Sequence, residues 1–215
     1  MSASGPPVAV VTVASRGVGM ATTDLFREQG ITTIGISRNM ENTDITLSCD
    51  VRDEDSVAQT FAAVVEEHGR IDVLVNCAGI VSTTAPLEQS VDEWESILRT
   101  NLIGTYLCCK SAILHMRPCQ YGKIINVASI AGRSHSQTAS LAYTCSKYGV
   151  IGLTRQLAAA YGRDGITVNC VAPSQIMSET LTENVPKNRI AALATSNPVG
   201  RLAEVEDVAQ TIWFL

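Results

Sequence analysis

Short apolar runs alternate along this chain with longer stretches in which apolar residues recur every three or four positions. The runs at 8–13, 31–37, 45–49, 71–76, 122–128 and 166–171 are rich in β-branched residues and too short for helices, so they predict strands. The stretches at 18–29, 54–68, 91–117, 142–162 and 205–215 predict helices, the third of them broken. Gly30, Gly69 and Gly165 follow helical stretches, where a C-terminal stop belongs. Near-continuous apolar strands alternating with helices predict an α/β fold, a doubly wound parallel sheet with helices on both faces. Its crossovers should be right-handed. No repeat or linker divides the chain, so residues 1–215 read as a single domain. Only ten residues separate Arg38 from Cys49, which predicts a loop or a single helical turn there.

Composition narrows the function. The chain is 46% hydrophobic and 17% charged, which is globular and not disordered. A net charge of −5 disfavours general binding to nucleic acid or to an anionic membrane. The first apolar run is too short to span a bilayer and lacks a basic region ahead of it, so the expectation is a cytoplasmic protein. The seven cysteines are odd in number, lack a C-x-x-C spacing and sit mostly inside apolar runs. They read as reduced buried thiols, and three scattered histidines give no metal site.

Two stretches carry chemistry. The run Val8 to Val13 leads into Ala14-Ser15-Arg16-Gly17-Val18-Gly19 and then a helical pattern. A strand, a glycine-containing turn and a helix attract phosphate through backbone N–H groups and the helix dipole. The second stretch is Tyr143-Thr144-Cys145-Ser146-Lys147, which puts a phenol and an ammonium on one helix face. A nearby lysine charge is expected to lower a tyrosine's pKa from about 10, towards useful proton exchange. Taken alone, each stretch is commonplace: many βα turns use glycine, and many helices carry such a pair on their surface.

Together with others, these motifs resemble those of the short-chain dehydrogenase/reductase family. Thr12 to Gly19 lies where the family has T-G-x-x-x-G-x-G, and Asn76-Cys77-Ala78-Gly79 looks like its N-N-A-G. Asn101 matches the family's helix asparagine, Ser129 its catalytic serine, and Tyr143 and Lys147 complete the set in order and spacing. The likeness runs from Val8 to Leu215. It implies a Rossmann-like sheet, here without the family's final strand, because the chain stops at Leu215. It also implies an enzyme that moves hydride between a nicotinamide cofactor and a carbonyl or alcohol substrate. Tyr143 would carry the proton, Lys147 would hold the nicotinamide ribose, Ser129 would polarise the carbonyl, and Asn101 would extend the proton path through a water.

The resemblance further implies cofactor contacts at Thr12, Ser15, Arg16, Gly17, Val18 and Gly19, at Asn76, Ala78 and Gly79, and at Tyr143 and Lys147. Asp50 and Val51 resemble the pair that contacts adenine. Past the sixth strand, Pro173-Ser174 stands for the family's Pro-Gly, with Ile176 beyond it. Ser178, or alternatively Thr180, stands where a threonine contacts the carboxamide. Charge selects the cofactor: positions 36–39 carry no acid, while Ser37, Arg38 and Arg16 offer partners for a 2′-phosphate, which favours NADP(H) over NAD(H). Val13 replaces the first glycine of the turn. It is costly there if φ is positive, and harmless if the residue is extended.

The pattern looks most like the 3-oxoacyl-carrier-protein reductases of fatty acid metabolism, whose substrate would be a carrier-bound acyl chain. The segment 174–200, with Met177, Leu181, Val185, Ile190 and Leu193, suggests an apolar lid. A homodimer or homotetramer is implied, with helices 91–117 and 142–162 at one interface. The rival expectation is a non-catalytic NADP(H)-binding regulator or inactive paralogue.

Overall fold

The computed structural model describes residues 5–38, 46–136, 138–178, 181–182 and 185–215. Strand β1 (Val8–Thr12) leads through helix α1 (Gly17–Glu28) to β2 (Thr32–Ser37), β3 (Thr46–Ser48), α2 (Glu54–His68) and β4 (Val73–Asn76). A long helical stretch follows, made of α3 (Val91–Leu98), a π turn (Arg99–Ile103) and α4 (Gly104–Met116). Then come β5 (Gly122–Val127), a 3-10 turn (Ile130–Gly132), α5 (Leu141–Tyr161), β6 (Ile166–Val171), α6 (Lys187–Ser196) and α7 (Val205–Phe214).

The six strands form one parallel sheet in the order β3-β2-β1-β4-β5-β6. The order reverses between β1 and β4, which makes their carboxyl ends the switch point where a doubly wound sheet binds ligands. Side-chain alternation splits the core in two. Val8, Val10, Leu74 and Ile124 face one way, against Val57 and Phe61 of α2 and Leu107 and Cys108 of α4. Ala9, Val11, Val75 and Ile125 face the other way, against Phe26 of α1 and Val208 and Ile212 of α7. Both faces are covered, so every residue of β1 is buried and the run reads as continuously apolar.

The break expected in 91–117 is the π turn. Backbone angles stay helical at Leu98 and at Gly104, so one turn widens and the helix continues. The segment read as an apolar lid contains α6, which has no fully buried residue. The lid residues Met177, Leu181, Val185, Ile190 and Leu193 are all half-buried. Residues 39–45, where a loop or single turn was expected, lie outside the described residues, as does Thr180.

Candidate active site

The turn after β1 explains the local sequence. Val13 has φ 56°, the left-handed region that glycine favours, and its N–H donates to the Ile36 carbonyl at 2.8 Å. Of the two conformations open to Val13, the chain takes the strained one. Gly19 has no such freedom to exchange: a Cβ there would lie 2.2 Å from the Val13 carbonyl oxygen, so α1 starts directly against the turn. Asp53, Ser90 and Ser140 cap α2, α3 and α5 with their side chains. Arg16 makes no such cap for α1, whose first turn also lacks an acid. The leading N–H groups of α1 and its positive dipole end therefore suit an anion.

Ser15, Arg16, Ser37, Arg38, Asp50, Val51, Ala78 and Gly79 line one cavity of about 200 Å³ beside this turn. The Ser15 and Ser37 hydroxyls meet at 3.3 Å across its mouth. Arg52, which sequence reasoning missed, shares the cavity and grips Asp50. Its Nε lies 3.0 Å from both carboxylate oxygens and its Nη2 lies 2.6 Å from Oδ2. Hydrogen bonding by Arg52 holds the Asp50 carboxyl below its ordinary value. An adenine bound here would share that carboxylate with Arg52. The D-x-R spacing was the signal: the Asp50 carboxylate also accepts the Arg52 N–H at 3.0 Å, in a turn closed by the Asp53 N–H on the Asp50 carbonyl.

Two expected contacts sit behind the cleft wall. Thr12 is fully buried, and its hydroxyl accepts the N–H groups of Cys77 at 2.9 Å and Ala78 at 2.8 Å. Asn76 is also buried, and its amide donates to Asn126 Oδ1 at 2.8 Å. The Thr12 hydroxyl and the Asn76 amide nitrogen thus hold the 76–79 segment and the sheet beneath it, while Asn76 Oδ1 is buried with no partner among the described residues. Val18 and Ile176 pack with Val127 on the core below the cleft.

The catalytic candidates converge at the carboxyl ends of β4 and β5. Ser129 follows β5 in extended conformation, and its Oγ accepts the Ala131 N–H at 3.2 Å while bonding the Tyr143 phenol. Tyr143 stands in the first turn of α5, its N–H capped by Ser140 at 3.3 Å. Lys147, one turn on, donates from Nζ to the Val127 carbonyl at 2.9 Å and lies 5.6 Å from the Tyr143 ring centroid. Gly79 joins the two halves of the cleft, since a Cβ there would lie 3.5 Å from Lys147 Nζ.

Asn101 lies in the π turn, fully buried. Its amide exchanges two hydrogen bonds with the backbone of Ile80, at 2.8 and 3.0 Å, and donates to Ser146 Oγ at 3.0 Å. Ser146 donates on to the Tyr143 carbonyl at 2.6 Å. This link was missed in the sequence, because a serine between Tyr143 and Lys147 carries no charge or spacing of its own.

The expected electrostatics of the pair need correction. Burial pushes the Tyr143 phenol up, and the Ser129 bond offsets only part of that rise. Burial also brings the Lys147 amine down to about 8. The amine sits over the ring and bonds a carbonyl, so it does little for the phenolate oxygen. A raised pKa keeps Tyr143 protonated at neutral pH, the state a proton donor needs.

Beyond β6, the Pro173 carbonyl accepts the Ile130 N–H at 2.8 Å, tying this segment to the Ser129 turn. Ser174 is exposed and donates to Gln175 Oε1 at 2.8 Å. Ser178 Oγ accepts the Leu181 N–H at 3.3 Å, which leaves its own proton free to donate. Ile176 forms a bridge with Ala203, which pins the base of the lid.

A family model described as enoyl-(acyl carrier protein) reductase matches residues 9–215. The chain is 38% identical to a cis-4-hydroxycyclohexanecarboxylate dehydrogenase of Sinomonas cyclohexanicum, over 97% of this chain and 88% of that one. It is 34% identical to the 3-oxoacyl-[acyl-carrier-protein] reductase FabG of Vibrio harveyi, over the same shares. Among solved structures it resembles ElxO with NADP bound, at a TM-score of 0.91 and 30% identity, covering 98% of this chain and 91% of that one.

Proposed function

This chain belongs to the short-chain dehydrogenase/reductase family, and on that premise we propose that it is an NADP(H)-dependent reductase of a ketone of 3-oxoacyl type. The observation that carries this reading is the convergence of Ser129, Tyr143 and Lys147 beside a cleft whose far end holds Arg16, Arg38 and two serine hydroxyls. When bound, the nicotinamide supplies the hydride. Ser129 donates a hydrogen bond to the substrate carbonyl oxygen, and the Tyr143 phenol gives that oxygen its proton, yielding a secondary alcohol. Lys147 holds the ribose, and Asn101 fixes the Gly79-Ile80 segment between them. Arg16 and Arg38 take the 2′-phosphate, while Arg52 neutralises Asp50, the one acid among the described residues that line the cavity. The FabG relative supports a carrier-bound acyl substrate. Seven free thiols support a reducing compartment, the cytoplasm.

NADPH titration followed by nicotinamide fluorescence, then a ketone panel including acetoacetyl-coenzyme A, tests the reading. Tyr143→Phe should lose about a hundredfold to ten-thousandfold in turnover with NADPH affinity unchanged. A variant keeping more than roughly a tenth of the rate removes Tyr143 as the donor. Arg38→Asp should lower NADPH affinity about tenfold or more and raise the relative preference for NADH. An unchanged ratio of the two dissociation constants moves selectivity to Arg16.

A further inference from the structure

The first turn of α5, which carries Tyr143, is held from outside its own helix. The N–H of Ala142 donates to Gln89 Oε1 at 3.1 Å, from the loop ahead of α3. The other end of that amide, Nε2, donates to Glu93 Oε1 at 3.0 Å. Glu93 Oε1 also accepts from the Ser82 hydroxyl. The Ser82 carbonyl in turn accepts the Ser140 N–H at 2.8 Å. Two donors at the start of α5, on Ser140 and Ala142, thus go to the 82–93 segment, while the N–H of Tyr143 stays with the helix's own cap.

Glu93 decides which way the Gln89 amide points. An ionised carboxylate only accepts, so Nε2 must face it and Oε1 must face Ala142. Ser82 and Gln89 together hold the Glu93 carboxyl below its ordinary value, so it stays ionised at working pH. The bracket matters for chemistry because Ser129 belongs to a different element, at the end of β5. The Tyr143 phenol meets it only while the free end of α5 keeps its place, and terminal turns otherwise fray.

We propose that Gln89, oriented by Glu93, is a positioning residue that holds Tyr143 against Ser129 by fixing the first turn of α5. The proposal rests on Tyr143 being the proton donor. Gln89→Ala should lower kcat with acetoacetyl-coenzyme A roughly ten- to a hundredfold, the order that a small misplacement costs, with NADPH affinity unchanged. Gln89→Glu combined with Glu93→Gln exchanges donor and acceptor between the two positions, keeps a carboxylate oxygen for the Ala142 N–H and reverses the Ser82 bond, whose hydroxyl then accepts from the amide at 93, and should return kcat to within about threefold of wild type. A readout without substrate is the titration of Tyr143 itself, taken as the ultraviolet difference between each protein and its Tyr143→Phe counterpart. Gln89→Ala should move that titration down towards an ordinary tyrosine, as the phenol gains water, and the exchanged pair should move it back.

A Gln89→Ala protein with lowered thermal stability but unchanged kcat and unchanged titration would reduce the bracket to a loop tether and overturn the proposal. So would an exchanged pair that recovers neither. An active Tyr143→Phe protein sinks the functional reading instead, and an inactive one beside an unaltered Gln89→Ala protein sinks only this inference.

Discussion

The Lys147 amine is 5% exposed, bonds one carbonyl and titrates at about 8 in place of 10.5. Below pH 8 it is charged in both folded and unfolded chains, and the folded state bears the full cost of burying that charge. Between about pH 8 and 10.5 the unfolded chain holds the proton and the folded one does not, so stability rises with pH across that window. The fall in pKa corresponds to roughly 3 kcal/mol, less about 1 kcal/mol for the carbonyl bond. Lys147→Met should therefore raise stability by about 2 kcal/mol at pH 7, or about 4–8 °C in Tm, while abolishing turnover. The gain should shrink as pH rises to 10.5. Thermal melts at pH 7 and 10 check both statements, and a destabilised variant at pH 7 would mean that the amine is better solvated than its burial suggests. The pair itself was legible from four-residue spacing on a helix. The direction of the Tyr143 shift was not, because it depends on burial by segments far away in sequence. Thr12 and Asn76 show the same limit: sequence places them at the end of their strands, and only packing shows that both side chains are buried.

At the scale of elements, the βα1 turn offers a test that strand geometry would answer the other way. In an extended strand, alanine is more stable than glycine. At φ 56°, glycine escapes a left-handed penalty of about 1–2 kcal/mol that alanine keeps. Both variants lose the packing of the Val13 side chain against the core. Val13→Gly should therefore be the more stable of the two by about 1 kcal/mol in urea unfolding, and the reverse order would show that the turn relaxes around an alanine. The strands were readable as elements because both faces of the sheet are covered, and the end of α2 was readable because Gly69 marks it; the structure adds Asp53 as the cap at its start. Helix α6 was not readable, since it buries no side chain fully and so leaves no clean apolar stripe. The π turn was visible only as an expected break, because nothing in Arg99-Thr100-Asn101-Leu102-Ile103 distinguishes one wide turn from a kink.

On the whole molecule, Tyr106 and Leu114 of α4 and Tyr148 of α5 stand out in solvent. Large apolar side chains exposed on α4 and α5 support self-association through them. Light scattering should give at least twice the chain mass, and Leu114→Glu with Tyr148→Glu should shift it towards the monomer. A monomeric wild-type protein would end that expectation.

The strand order also bears on how the chain is made. Strand β1 pairs with β2 across 24 residues, as Val8 with Thr32, but meets β4 only across 64, as Ala9 with Val73. A ribosome adding roughly 5–20 residues per second leaves that second edge of β1 unmatched for about 3 to 13 seconds. The buried strand at the centre of the finished sheet is thus the first of the six to emerge and the one that waits longest for its second partner. Its shelter during synthesis must come from the nascent β1-α1-β2 unit or from a chaperone.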